Sequence, residues 1–301
     1  MDPDHSDRQR TPLAAIVAAL FAVYVIWGTT YFAIRVAVRD MSPYFLVATR
    51  MCVAGVVLLV WTWARGRPLP SLAQWRGALA VGCLLLVLGN GSVSVAERWV
   101  SSGAAVALIS IVPLATAVWS GVFGAWPRRS EWLTIGLGAL GAAIMLCGRD
   151  LTASSAGTLI LLGGAASWSL GTVLARRLPV AAGAAGFGSE MLCAGAVSFV
   201  VSAVLGEHWT WHLNPGAWAA WGYLVVFGSL IGFSAYRFIV ERLSPTLAAT
   251  YAYVNPPVGL LTGWWLGGER FSPLLLLGLP VVLVAVGLQT WIHTRGSARS
   301  P

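Results

Sequence analysis

A chain of 301 residues that is 57% hydrophobic and only 10% charged is not an ordinary soluble domain, in which roughly a quarter of residues carry charge. Its formal net charge of +8 comes from arginine alone, because the sequence has no lysine. These arginines are scattered one to three per loop, which reads as topology signals and contacts with anionic lipid rather than a nucleic-acid face, so no nucleic-acid partner is expected.

A hydrocarbon core about 30 Å thick is crossed by about 20 helical residues. Apolar runs of that size recur near residues 13–33, 44–63, 75–95, 101–125, 132–148, 157–175, 186–205, 217–240, 246–267 and 272–292. They predict an all-α membrane protein with ten transmembrane helices, since spanning strands would be alternating segments of about 10 residues. The connectors are too short for a soluble domain. The first run is too long for a signal peptide and lacks an A-x-A-like site, so residues 1–12 are expected to stay as a tail ahead of a retained span.

With that tail in the cytoplasm, the inner side holds Arg8, Arg10, Arg65, Arg67, Arg76, Arg128, Arg129, Arg176, Arg177, Arg237, Arg242, Arg295 and Arg299. The outer side holds only Arg35, Arg39, Arg98, Arg149 and Arg270. The positive-inside rule then makes both termini cytoplasmic. Cys52, Cys83, Cys147 and Cys193 lie within the apolar runs with no C-x-x-C pair and read as small packing residues.

In chain order, the first polar cluster is "VYVIWGTTYFAIR", past the middle of the first run. An aromatic belt would account for Tyr31 but poorly for Trp27, Gly28 and Thr29. Gly28 admits a close neighbour, Thr29 and Thr30 can hydrogen-bond across, and Trp27 offers a flat face with one N–H. Trp27, Gly28, Thr29 and Tyr31 are therefore expected to line a cavity, with packing as the alternative.

Arg50, about six residues into the second run, either faces a cavity or snorkels to the head groups. Asn90, between Gly89 and Gly91, either lines a pore or bonds to a neighbouring helix. Glu97 with Arg98 and Glu241 with Arg242 fall at turns, where local ion pairs compete with gating or proton coupling. Glu190, inside the seventh run, is either an interfacial carboxylate in water or a gate.

Pro113, Pro256 and Pro257 each free the carbonyl four residues earlier, either for a ligand or simply as a kink. Tyr251, Tyr253 and Asn255 sit beside the latter two in "TYAYVNPPVG". His208 and His212 in "GEHWTWHLNP" have zinc-compatible spacing, but with only Glu207 beside them they read better as part of an interfacial aromatic belt. Nothing resembles H-E-x-x-H, G-x-S-x-G or a P-loop, so no catalytic residue, metal or cofactor is expected.

The sequence repeats itself. Trp27 in "WGTTYFAIRVAV" answers Trp168 in "WSLGTVLARRLP", and "RMCVAG" from Arg50 answers "EMLCAG" from Glu190. Without gaps, "ERWVSSGAAVALISIVP" at 97–113 answers "ERLSPTLAATYAYVNPP" at 241–257. Two five-helix repeats follow, 13–150 and 151–292, with cytoplasmic tails at 1–12 and 293–301. Five is odd, so the repeats are expected to be inverted in the membrane, with a central site between them.

These motifs, with "PYFLVATRMCVAGVVLL" and the Gly268–Glu269–Arg270 triplet, make residues 13–292 resemble the EamA-like branch of the drug/metabolite transporter superfamily. The resemblance aligns Trp27 with Gly28, Arg50, Pro113, Pro257 and the Gly-Glu-Arg triplet with recurring family positions. The first half departs from the pattern, since "FGAWPRRSEW" has no Gly-Glu-Arg. Export or facilitated passage of small metabolites is what the resemblance implies, amino acids and drugs both being represented.

The expected function is therefore a secondary transporter or exporter of amino acids or amphiphilic compounds in the cell inner membrane, working by alternating access. An intramembrane enzyme acting on lipid is the alternative, but the acids are dispersed at helix ends rather than clustered. The expected partners are a small-molecule substrate and the bilayer. A monomer is the expected state, with a homodimer left open.

Overall fold

The computed structural model describes residues 12–100, 102–146, 155–243, 245–267 and 273–297. The expectations for Cys147, Arg149, the Gly268–Glu269–Arg270 triplet and the tail arginines Arg8, Arg10 and Arg299 lie outside them. The described residues form helices and short connections with no strand. In chain order the helices are α1 Leu13–Ala37, α2 Pro43–Ala64, α3 Leu72–Ala96, α4 Ser102–Ile109, α5 Val112–Val122 and α6 Arg129–Leu146. The second half contributes α7 Ser155–Leu174, α8 Gly183–Val204, α9 Pro215–Arg242, α10 Pro245–Ala248, α11 Tyr251–Gly267 and α12 Pro273–Ser297.

Among the described residues, α1, α2, α3, α7, α8 and α9 are long and apolar enough to cross a membrane, and α5 is a shorter apolar helix. Polarity is distributed accordingly. Leu133, Val204 and Trp265 are more than three-quarters exposed on the outer surface, while Thr49, Arg50, Ser189, Glu190 and Asn255 are buried inside. Water would penalise the first set, whereas lipid accommodates it.

Local chemistry explains the helix ends. The Ser71 hydroxyl accepts from Gln74 N and the Gln74 side chain accepts from Ser71 N, a reciprocal cap that starts α3. Asn214 accepts from Ala217 N at the start of α9, with Pro215 in the first turn. Helices α2 and α8 both end at a glycine with positive φ, Gly66 at 63° and Gly206 at 65°, a conformation that a side chain would strain.

Two interruptions were not expected from the apolar runs. Cys83–Asn90 in α3 and Leu224–Ile231 in α9 are wound as π-helix, which widens both helices in mid-course. The run at 101–125 is not one helix but two, parted at Ser110–Ile111. The run at 246–267 is likewise divided, at Ala249–Thr250. Pro113 falls in the first turn of α5, where its missing N–H costs nothing. Pro256 and Pro257 instead sit inside α11, and the Ala252 carbonyl that Pro256 strips of its donor accepts the Ser110 hydroxyl at 3.3 Å.

Packing is reciprocal between the halves. α2 lies along α8 and α6 along α12, while α1 packs on α9 and α11 and α7 packs on α3 and α5. The α2–α8 contact is backbone to backbone. A methyl group on Gly55 would stand 2.8 Å from Leu192 N and 2.9 Å from Gly188 O, and one on Gly195 would stand 2.8 Å from Cys52 N. These glycines end the aligned "RMCVAG" and "EMLCAG" segments, so the repeated motifs meet each other where α2 and α8 pack.

A matched pair of substitutions checks this. Gly55→Ala forces backbone apart and is expected to lower stability by about 1–3 kcal/mol, read as a fall in melting temperature in detergent. Gly222→Ala, which meets nothing within 4 Å, should leave it unchanged or raise it slightly.

Candidate functional site

One face of α1 carries Trp27, Thr30, Tyr31 and Ile34, three or four residues apart, and this face lines an internal cavity. Opposite it stand Trp168 of α7, Phe233 of α9, and Tyr251 with Asn255 of α11. Arg50 of α2 and Asn90 of α3 complete the wall. The space enclosed is about 50 Å³, room for a few waters, whereas a metabolite site needs several times more. A solute of that size enters only if these side chains move.

Trp27 is the hub. Its ring lies 5.4 Å from Trp168 edge to face, 4.9 Å from Phe233, 4.9 Å from Tyr236 and 5.0 Å from Tyr251. Its Nε1 donates to Gly228 O at 3.3 Å, a carbonyl of the π-helical turn in α9. Gly232 leaves room for that indole, since a methyl group there would stand 2.5 Å from Nε1. On the other side, Ser167 donates to Leu84 O in the π-helical turn of α3, and Trp168 packs over Gly89. The two tryptophans matched in the sequence repeat thus meet at the cavity. Trp168 Nε1 is buried beside the Tyr236 and Tyr251 hydroxyls.

Arg50 is 2% exposed, which rules out snorkelling. Its Nε donates to Ser229 Oγ at 2.7 Å, and Nη1 reaches Asn90 Oδ1 at 3.5 Å. Among the described residues no carboxylate lies within ion-pair distance of it. Asn90 therefore faces the cavity and bonds to a neighbouring helix at once. Asn255 is satisfied with its amide nitrogen donating to Tyr251 O (3.1 Å) and Tyr24 O (3.3 Å), which turns its oxygen toward the Tyr31 hydroxyl.

Four of the expected lining residues do not reach the cavity. Gly28 faces α11, where a methyl group would stand 2.5 Å from Val258 Cβ, so it serves close packing. Thr29 turns to α9, bonding the Tyr223 hydroxyl at 2.5 Å and Ile26 O at 2.7 Å. Pro113 and Pro257 are buried in their helices and do not line it. Tyr253 likewise points away, donating to Ile135 O at 3.0 Å and packing over Gly138.

Glu190 is fully buried, which overturns the reading of a carboxylate in water. It accepts from Arg237 Nη1 at 3.0 Å, and Arg237 Nε reaches Glu241 Oε1 at 2.8 Å, one turn on along α9. Arg237 was expected in a cytoplasmic loop but is 8% exposed inside the bundle. Glu241 also meets Arg242 at 3.4 Å, so the local ion-pair reading fits it. Glu97 ends α3 in a turn and is buried within electrostatic reach of the Tyr31 hydroxyl.

Ser229, Phe233, Tyr236 and Arg237 escaped sequence reasoning. They sit at i, i+4, i+7 and i+8 along one helix face, and that spacing was the signal available. Glu207, weighed beside His208 and His212 as a metal ligand, instead accepts from Tyr44 N (3.2 Å) and Phe45 N (3.0 Å) at the start of α2. A carboxylate there satisfies free amides and complements the helix dipole. Among the described residues no three His, Cys, Asp or Glu side chains gather to hold a metal ion.

The EamA-like transporter family model matches the chain twice, over residues 13–147 and 155–291. The chain belongs to this family. It is 40% identical to the uncharacterized inner membrane transporter YedA of Escherichia coli (strain K12), over 94% of this chain and 92% of that one. It is 28% identical to the probable terminal-alkyne amino-acid exporter of Streptantibioticus cattleyicolor, over 88% and 90%. A solved crystal structure superposes with a TM-score of 0.75 at 19% identity, covering 94% of this chain and 99% of the other, so the fold has been seen before. With the apolar helices, these likenesses make the chain a multi-pass membrane protein of a transporter family, and the relatives' names point away from an enzyme.

The buried pair gives a stability test. Arg237→Met leaves the Glu190 carboxylate buried beside an apolar side chain and is expected to cost about 3–5 kcal/mol. Adding Glu190→Gln removes the stranded charge and should recover part of that loss, measured by thermal or denaturant unfolding in one detergent.

Proposed function

We propose that this EamA-family protein is an inner-membrane secondary transporter that exports or equilibrates small metabolites, amino acids or amphiphilic compounds, by alternating access. In this reading ten spans form two inverted five-helix repeats, with α4–α5 and α10–α11 each crossing as a broken helix and both termini in the cytoplasm. Trp27, Tyr31, Arg50, Asn90, Trp168, Tyr251 and Asn255 contact the solute, and Glu190 with Arg237 and Glu241 holds one side shut.

The observation that carries it is the cavity where Trp27 and Trp168, equivalent positions of the two repeats, stand ring against ring. A cavity between reciprocal halves is what a rocking transporter has at its centre. The double family match and the reciprocal helix packing support the two-repeat arrangement. The kinship with YedA supports the inner membrane, and the amino-acid exporter supports the substrate range. Glu190 already engaged by Arg237 favours passage down a gradient over proton antiport.

Proteoliposomes carrying the protein are expected to move at least one compound of an amino-acid and amphiphile panel faster than empty vesicles. Trp27→Ala, at normal expression and folding, should cut that rate at least tenfold. Wild-type vesicles indistinguishable from empty ones would remove the transport reading, and an unchanged Trp27→Ala would remove the cavity from it.

A further inference from the structure

Resting on the transport reading, we infer that the solute carries a single carboxylate, which docks on the Arg50 guanidinium while an apolar body lies between the aromatic walls. Among the described residues two arginines are deeply buried, and their surroundings differ. Arg237 has two carboxylates within 3.0 Å. Arg50, at 2% exposure, has the Ser229 hydroxyl, a long contact to the Asn90 amide oxygen and the Phe233 ring at 5.8 Å, and among the described residues no carboxylate.

An arginine stays charged inside a protein, so its buried charge is costly until an anion meets it. Five N–H groups are available on the guanidinium and two are engaged, which leaves part of its planar fork for a carboxylate. Gly228 keeps that fork accessible, since a methyl group there would stand 3.0 Å from Nη2.

Trp168 borders the same space, its Nε1 beside the Tyr236 and Tyr251 hydroxyls. Arg50 thus offers donors without a carboxylate counterpart, and the lining contains no carboxylate that would attract a cation. The remaining surface is aromatic, from Trp27, Phe233 and Tyr251, which favours an apolar or flat body over a bare inorganic ion. One cation in the lining matches a monoanion better than a dianionic phosphate ester. An organic cation would meet an uncompensated positive charge and be rejected.

The test uses the full chain in nanodiscs, with binding read by tryptophan fluorescence and thermal shift. The probes are C4–C10 monocarboxylates, 3-phenylpropanoate, L-leucine and L-phenylalanine, each beside its own amide and its decarboxylated amine or hydrocarbon, plus inorganic phosphate. At least one acid is expected to bind ten times more tightly than its amide, and the amines without a carboxylate should not bind. Arg50→Gln should erase the difference between acid and amide, and Arg50→Lys should keep part of it.

Equal binding of an acid and its amide, tighter binding of an amine or of phosphate, or binding of none of the acids overturns the inference. If Arg50→Gln does not fold, the wild-type comparison decides alone. Vesicle flux separates the two readings. Movement of neutral or cationic compounds without acids sinks the carboxylate and keeps the transporter, whereas acid binding with no movement of any acid does the reverse.

Discussion

Hydrocarbon offers no hydrogen bonds, so each polar group taken into it has to find its partner inside the protein. Most of this bundle's interior follows from that constraint. The carbonyl freed by Pro256 accepts from Ser110, the π-helical turn of α9 receives the Trp27 indole, and that of α3 receives the Ser167 hydroxyl. The accounting is incomplete at the Arg50 fork, which borders the cavity, and also at Thr116, Ser120, Ser198 and Glu190 Oε2, which are not in its lining.

The helices divide into a stiff part and a part with options. At α2–α8 the glycines bring main chain onto main chain, and such a contact has little freedom to slide without clashing. Around Trp27 the contacts are aromatic rings, edge to face or tilted, which can be exchanged for a solute's own apolar surface. These aromatic contacts are concentrated on α1, α7, α9 and α11. The α2–α8 crossing is the frame against which they are placed, and Arg50 is carried by that frame.

Much of this was legible in the sequence because lipid simplifies it. Apolar runs located the helices, and Trp27, Tyr31, Arg50, Asn90, Trp168, Tyr251 and Asn255 were singled out as polar or aromatic groups at membrane depth, all of which reach the cavity. Periodicity could not tell which way a neighbour turned. Gly28 and Thr29 follow Trp27 in sequence yet turn onto α11 and α9 away from the cavity, each step being about 100° around the helix. Arg237 was counted with the loop charges although the apolar run at 217–240 already contained it, and α9 continues past it to Arg242. The π-helical turns left no mark in composition, since widening a helix changes its hydrogen bonds and not its hydrophobicity.

The broken helices carry a further consequence. The aligned stretches 97–113 and 241–257 differ in where they bend, after Ile109 in one and after Ala248 in the other, which corresponds to residue 104 of the first. In the alternating-access reading, the opposite-facing state has these bends exchanged. The present arrangement is pinned by a hydroxyl, Ser110 to the Ala252 carbonyl, and the residues that would form the mirror-image bond are Val254 and Leu108. Valine has no hydroxyl to give. Within that reading this one contact favours the present arrangement by about 1 kcal/mol, because its counterpart cannot form.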